Sequence, residues 1–181
     1  MAFLTHLLVL SLLAIRTSTS PSSFPRARVE DVERPSSLQN AAMNPIAGYV
    51  FNGCNFPLYM ASATCKPNSG TAVKKINPGQ GYWSEPRAYN DACSQTVKIA
   101  KDQSMKPQYQ LEYNVRDELV WYNLSHEDGD PLSDFARFIE IRGAGPECKK
   151  FYCAPNTDRA QCDWPDKLGV CKVADVMLYL C

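Results

Sequence analysis

Apolar side chains along much of this chain recur at every second position. In residues 109–115, YQLEYNV, the side chains of Leu111, Tyr113 and Val115 fall on one face, with Gln110, Glu112 and Asn114 on the other. Residues 95–101, QTVKIAK, set Val97 and Ile99 against Thr96, Lys98 and Ala100 in the same way. Both patterns predict strands with one face buried. Further strands are expected over 48–52, 57–61, 81–84, 119–124, 136–141 and 173–180, separated by the turn signals PNSG from 67, NPGQG from 77, EDGDP from 127 and GAGP from 143. Many short strands with no helical period between them predict an all-β, antiparallel sandwich and argue against βαβ units.

Three segments depart from that alternation. Residues 1–20 contain the apolar run LLVLSLLAI followed by small polar residues, the pattern of a secretory signal peptide and too short to span a bilayer. Nothing later is apolar for long enough to serve as an anchor, so a secreted, extracellular protein with no membrane attachment is expected. Residues 21–44, PSSFPRARVEDVERPSSLQNAAMN, hold few large apolar side chains and read as a disordered leader or pro-segment, leaving the folded domain at 45–181. Residues 143–172 pack four cysteines into a stretch with little alternation, which predicts a small loop lobe held by its own disulfides.

Cysteine usage reinforces the secreted reading. The eight cysteines, Cys54, Cys65, Cys93, Cys148, Cys153, Cys162, Cys171 and Cys181, all follow the signal segment and predict four disulfides, although their count alone permits on the order of a hundred pairings. Zinc is disfavoured because no CxxC occurs and His126 is the only histidine beyond the signal segment. Nineteen Lys and Arg balance nineteen Asp and Glu, so no overall field recruits nucleic acid or an anionic membrane, and any charge-based function must be local. A monomer without cofactor or metal is expected.

The acidic run YNLSHEDGDPLSDF, residues 122–135, is the densest candidate chemistry. It does not fit a calcium loop, because Gly129 sits between Asp128 and Asp130 and Pro131 follows, against the alternating oxygen ligands of an EF-hand. His126 lacks a free cysteine partner and reads as an exposed loop residue. Trp83 and Trp121 are expected to fill the core, and Trp164 to be exposed in the lobe, where its ring could stack on a sugar. Asn123-Leu124-Ser125 is a glycosylation sequon, so Asn123 is a candidate glycan site that would exclude ligand from any cleft beside it.

GYVFNGCNFPLYMASA, LEYNV followed by WYNLSHEDGDP, and the terminal VADVMLYLC occur in the order of corresponding motifs in the thaumatin-like proteins, which the chain resembles over residues 46–181. YWSEPR, TVKIAKD and the Asp-Gly-Asp-Pro turn resemble the short fungal branch of yeast-phase-specific or antigenic thaumatin-like proteins. The resemblance implies a thaumatin-like sandwich in which Cys54 pairs with Cys181. Cys65 with Cys93, and the four lobe cysteines among themselves, are the further expected pairs. It also implies an acidic cleft of one arginine, one glutamate and three aspartates. By position the glutamate falls on Glu112, one aspartate on Asp128, a second on Asn123 with its charge lost, and the arginine on Lys98; the last aspartate has no match. The expected function is a secreted binding protein of the cell wall or host surface, with β-glucan as candidate ligand, acting as an apoplastic effector or antigen. The alternatives are a weak endo-β-1,3-glucanase using Glu112 and Asp128, and an inhibitor or decoy of a host extracellular protein acting through loops such as 143–172.

Overall fold

Inward-facing Val, Ile, Leu and Tyr at every second position draw two sheets together in the computed structural model, which describes residues 45–181. The signal peptide and leader expected at 1–20 and 21–44 lie outside the described residues. In chain order the strands are β1 Gly48–Asn52, β2 Leu58–Thr64, β3 Lys74–Ile76, β4 Gly81–Trp83, β5 Gln95–Ala100, β6 Tyr109–Arg116, β7 Leu119–Ser125, β8 Arg137–Ile141, β9 Phe151–Cys153, β10 Gly169–Lys172 and β11 Val176–Leu180. One sheet has the order β4-β1-β11-β8-β9 and the other β10-β7-β6-β5-β2-β3. Val50, Leu178 and Ile139 of the first meet Val97, Ile99, Leu111, Tyr113 and Leu124 of the second in one core cluster. Burying each of these side chains contributes about 1.5–3 kcal/mol. The fold is an all-β sandwich of two sheets.

Two differences from the sequence reading have simple causes. The first and last strands, β1 and β11, run parallel, while every other strand pair is antiparallel. Alternation reports which face a residue takes and carries no information on strand direction. The short strands β3, β9 and β10 show no legible period because each has only three or four residues.

β9 and β10 also change the picture of residues 143–172. β9 adds to the five-stranded sheet beside β8, and β10 adds to the six-stranded sheet beside β7. Cys148, just before β9, pairs with Cys171 in β10, so this disulfide joins the neighbouring edges of the two sheets. Cys153 pairs with Cys162 across the short 3-10 turn Arg159–Gln161. The segment is thus partly sheet edge. Cys54–Cys181 links the chain just after β1 to the residue after β11, 127 positions away, and Cys65–Cys93 joins the end of β2 to the approach to β5.

Candidate functional site

The polar faces of β5, β6 and β7 form the outer surface of the six-stranded sheet. Register places Glu112 between Thr96 on β5 and Asn123 on β7, with Trp121 opposite Asn114 in the next row. The segment after the 3-10 turn folds towards this face, because the Trp164 N–H donates to the Leu124 carbonyl at 2.8 Å. The result is a groove of about 380 Å³ whose lining includes Thr96, Glu112, Arg116, Trp121, Asn123 and Trp164. Its volume is within the range of roughly 300–1,000 Å³ usual for small-ligand sites.

Trp164 is 42% exposed and presents its ring there, as expected. Trp121 does not fill the core. It stands on the outer face, half-buried, with the Arg116 guanidinium over its ring at 4.9 Å. Trp83 likewise lies on the outer face of the other sheet, 4.8 Å from the Tyr49 ring. Trp121 alternates with the inward Val120 and Tyr122, and Trp83 with the inward Tyr82, so period two puts both indoles outside, against the expectation that their large apolar area would be in the core.

Asn123 is nearly buried, and its Nδ2 donates to Glu112 Oε2 at 2.8 Å. Burial raises the Glu112 carboxyl above its ordinary pKa; the Asn123 hydrogen bond opposes this, and the charges of Glu127 and Asp128 add to the rise. Position 123, where the resemblance implied an aspartate, carries a neutral amide, and Glu127 is near enough for its charge to act on Glu112. Asp128 stands beside Gln110, where its Oδ2 accepts from Gln108 Nε2 at 2.6 Å and Gln110 Nε2 at 2.7 Å. Gly129 makes this turn feasible: its φ is +112°, and a Cβ there would lie 2.4 Å from the Pro107 Cβ. Lys98 shares the outer face opposite Gln110 but forms no ion pair among the described residues. Glu112 and Asn123 therefore line the groove, whereas Asp128 and Lys98 lie outside its lining.

Asp130 and His126 of the same run have structural work. Asp130 accepts two hydrogen bonds from Arg137 Nη1, at 3.1 and 2.9 Å, with both side chains almost wholly buried. The Arg137 guanidinium lies 4.7 Å from the Tyr109 ring centroid, Tyr109 donates to Asp163 Oδ1, and His126 Nδ1 meets Asp163 Oδ2 at 2.9 Å. His126 is accordingly tied to the lobe. Among the described residues no three His, Cys, Asp or Glu side chains gather as a metal site. Gln110 and Asn114 were legible as partners of Glu112 from their period-two spacing, but nothing local marked Trp121, Trp164 or Arg116 as neighbours of that carboxylate.

A profile of the Blastomyces yeast-phase-specific protein family, Bys1, matches residues 36–181. The chain belongs to that family. An antigenic thaumatin-like protein of Arthroderma benhamiae is 26% identical over 121 residues, and the match spans 61% of this chain and 61% of that relative. Among solved structures, the protein elicitor MoHrip2 from Magnaporthe oryzae superposes with a TM-score of 0.64 at 26% identity, over 75% of this chain and 98% of the elicitor. The thaumatin-like xylanase inhibitor TLXI, 14% identical, shares the fold with a TM-score of 0.51 over 74% of this chain and 98% of its own. Four disulfides and these fungal relatives point to an extracellular thaumatin-like protein.

Proposed function

We propose that this is a secreted binding protein of the cell wall or host surface whose groove on the six-stranded sheet takes a neutral β-glucan, giving it the role of an apoplastic effector or antigen. One observation carries the reading: Trp121 and Trp164 line the same groove as the Glu112–Asn123 pair. An indole offers a flat apolar face to a sugar ring, and a carboxylate flanked by an amide offers acceptors and donors to its hydroxyls. Binding is favoured over turnover because the hydrolytic pair is not assembled in one groove. Asp128 stands outside the lining with Oδ2 engaged by two amides, and Glu112 Oε2 is engaged by Asn123.

The weak endo-β-1,3-glucanase reading keeps one specific support, the raised Glu112 carboxyl, which is what a general acid requires. The inhibitor or decoy reading draws on the xylanase inhibitor that shares the fold. Calorimetry with laminarin tests the proposal. Trp164→Ala and Glu112→Gln should each weaken binding, the latter by about 1.5–3 kcal/mol if a charged hydrogen bond to sugar is lost, while Asp128→Asn has a smaller effect. Unchanged affinity in Glu112→Gln and Trp164→Ala, with melting also unchanged, sinks the glucan groove. Reducing-sugar release by the parent that disappears in Glu112→Gln would establish hydrolysis, and capture of a host protein without glucan binding would favour the inhibitor.

A further inference from the structure

Leu168 lines the indole groove on one side and a second groove on the other. This second groove, about 500 Å³, lies between the β9 region and the segment 161–168. Lys149, Lys150 and Lys167 line it, with Asp166 the sole carboxylate in the lining. Lys150 is held by Glu140 at 2.8 Å. Lys149 and Lys167 have no carboxylate at ion-pair distance among the described residues. Since the chain as a whole balances nineteen cations against nineteen anions, this concentration is local and not a reflection of a basic protein. Lysines beside an edge strand also discourage strand-to-strand association, which accounts for Lys149 and Lys150. It does not account for Lys167, which comes from the opposite wall and faces the same space.

We propose that this is a separate binding groove for an acidic polysaccharide whose sugar units carry carboxylates. An ammonium is a compact charge that attracts a carboxylate without requiring the planar two-point geometry of a guanidinium, which suits repeated carboxylates spaced along a polymer. Tyr152, 47% exposed in the same lining, adds a ring against which a sugar can lie. An acidic peptide would find the charges but would gain little from that ring. The indole groove has one carboxylate, Glu112, and one guanidinium, Arg116, in its lining, so it offers a polyanion no comparable excess of positive charge. The two grooves therefore differ in the charge of what they accept, and the basic one does not depend on the glucan reading.

The test is calorimetry of the full secreted chain with polygalacturonate, with laminarin, polyglutamate and dextran sulfate as the other arms. Polygalacturonate should bind, and its affinity should fall as salt is raised, because exposed charges are screened. Lys149→Gln with Lys167→Gln should weaken it by about tenfold or more. Melting and the laminarin titration should be the same in parent and variant. The proposal is overturned if polygalacturonate does not bind, or if the double variant binds it as the parent does. It is equally overturned if polyglutamate or dextran sulfate binds as tightly as polygalacturonate, since the groove would then be a peptide surface or an unselective polyanion patch.

Discussion

Replacing Arg137 with methionine removes the guanidinium from the centre of the sandwich while keeping most of the side-chain volume. Arg137 is 0% exposed and projects inward from β8 in line with Ile139 and Ile141. Its Nη1 makes both hydrogen bonds to Asp130, while Nε and Nη2 have no hydrogen-bond partner among the described residues. The single substitution leaves a buried Asp130 carboxylate without its cation, a loss of about 3–5 kcal/mol. Against a typical total stability of roughly 5–15 kcal/mol this is a large fraction, lowering the melting temperature by about 10–15 °C. Asp130→Asn in the same chain removes the second charge and keeps an oxygen for the Leu132 N–H, which Asp130 Oδ1 accepts at 3.2 Å. The double variant should recover to within about 1–2 kcal/mol of the parent, because neither the stranded carboxylate nor the two unsatisfied guanidinium nitrogens remain. Urea unfolding with disulfides intact, followed by tryptophan fluorescence, measures all four corners of the cycle. If the double variant is as unstable as the sum of the two singles, the loss comes from Arg137 packing on Tyr109 and the charge argument is wrong.

Serine at both Cys54 and Cys181 opens a loop of 127 positions and should cost about 4–5 kcal/mol in the chain-entropy account, read as a lower urea midpoint; a loss below about 1 kcal/mol would contradict it. Burial, followed by the charges of Glu127 and Asp128, raises the Glu112 carboxyl, so the folded state retains a proton that the unfolded chain has already released. The stability this group contributes is present in acid and is lost as pH rises through the raised value. Glu112→Gln should accordingly gain stability over the parent at about pH 7 relative to about pH 4, and a gain that does not change with pH would refute the assignment. Asn123 is buried and its Nδ2 donates to both Glu112 Oε2 and the Leu124 carbonyl, so a glycan on that nitrogen would displace one of the two contacts, and mass spectrometry of the protein expressed in a fungal host should find Asn123 unmodified.

Period-two alternation in QTVKIAK and YQLEYNV was sufficient to place β5 and β6, to put Val97, Ile99, Leu111 and Tyr113 inside, and to leave Glu112 on an outer face. Such a pattern is local, since consecutive strand residues face opposite ways whatever lies beyond them. The motifs that resemble thaumatin-like proteins extended this to a fold, and the match to the yeast-phase-specific family and the superposition on the elicitor MoHrip2 agree with it. The direction of β1 against β11, and the strands β9 and β10, were decided by partners distant in the chain: β1 found β11, and β9 and β10 found separate sheet edges across the Cys148–Cys171 link. The acidic run shows the same division most plainly. Glu127, Asp128, Asp130 and Asp134 look alike in sequence, yet the inward-facing Arg137 took Asp130 into the core, while the amides of Gln108 and Gln110 held Asp128 at the surface. Trp121 and Trp164 came to share a groove with Glu112 because cross-strand register and one hydrogen bond to Leu124 brought them there. Those distances are set by how neighbouring strands pair and where a later segment of the chain docks on the sheet, which the alternation within any one segment does not carry.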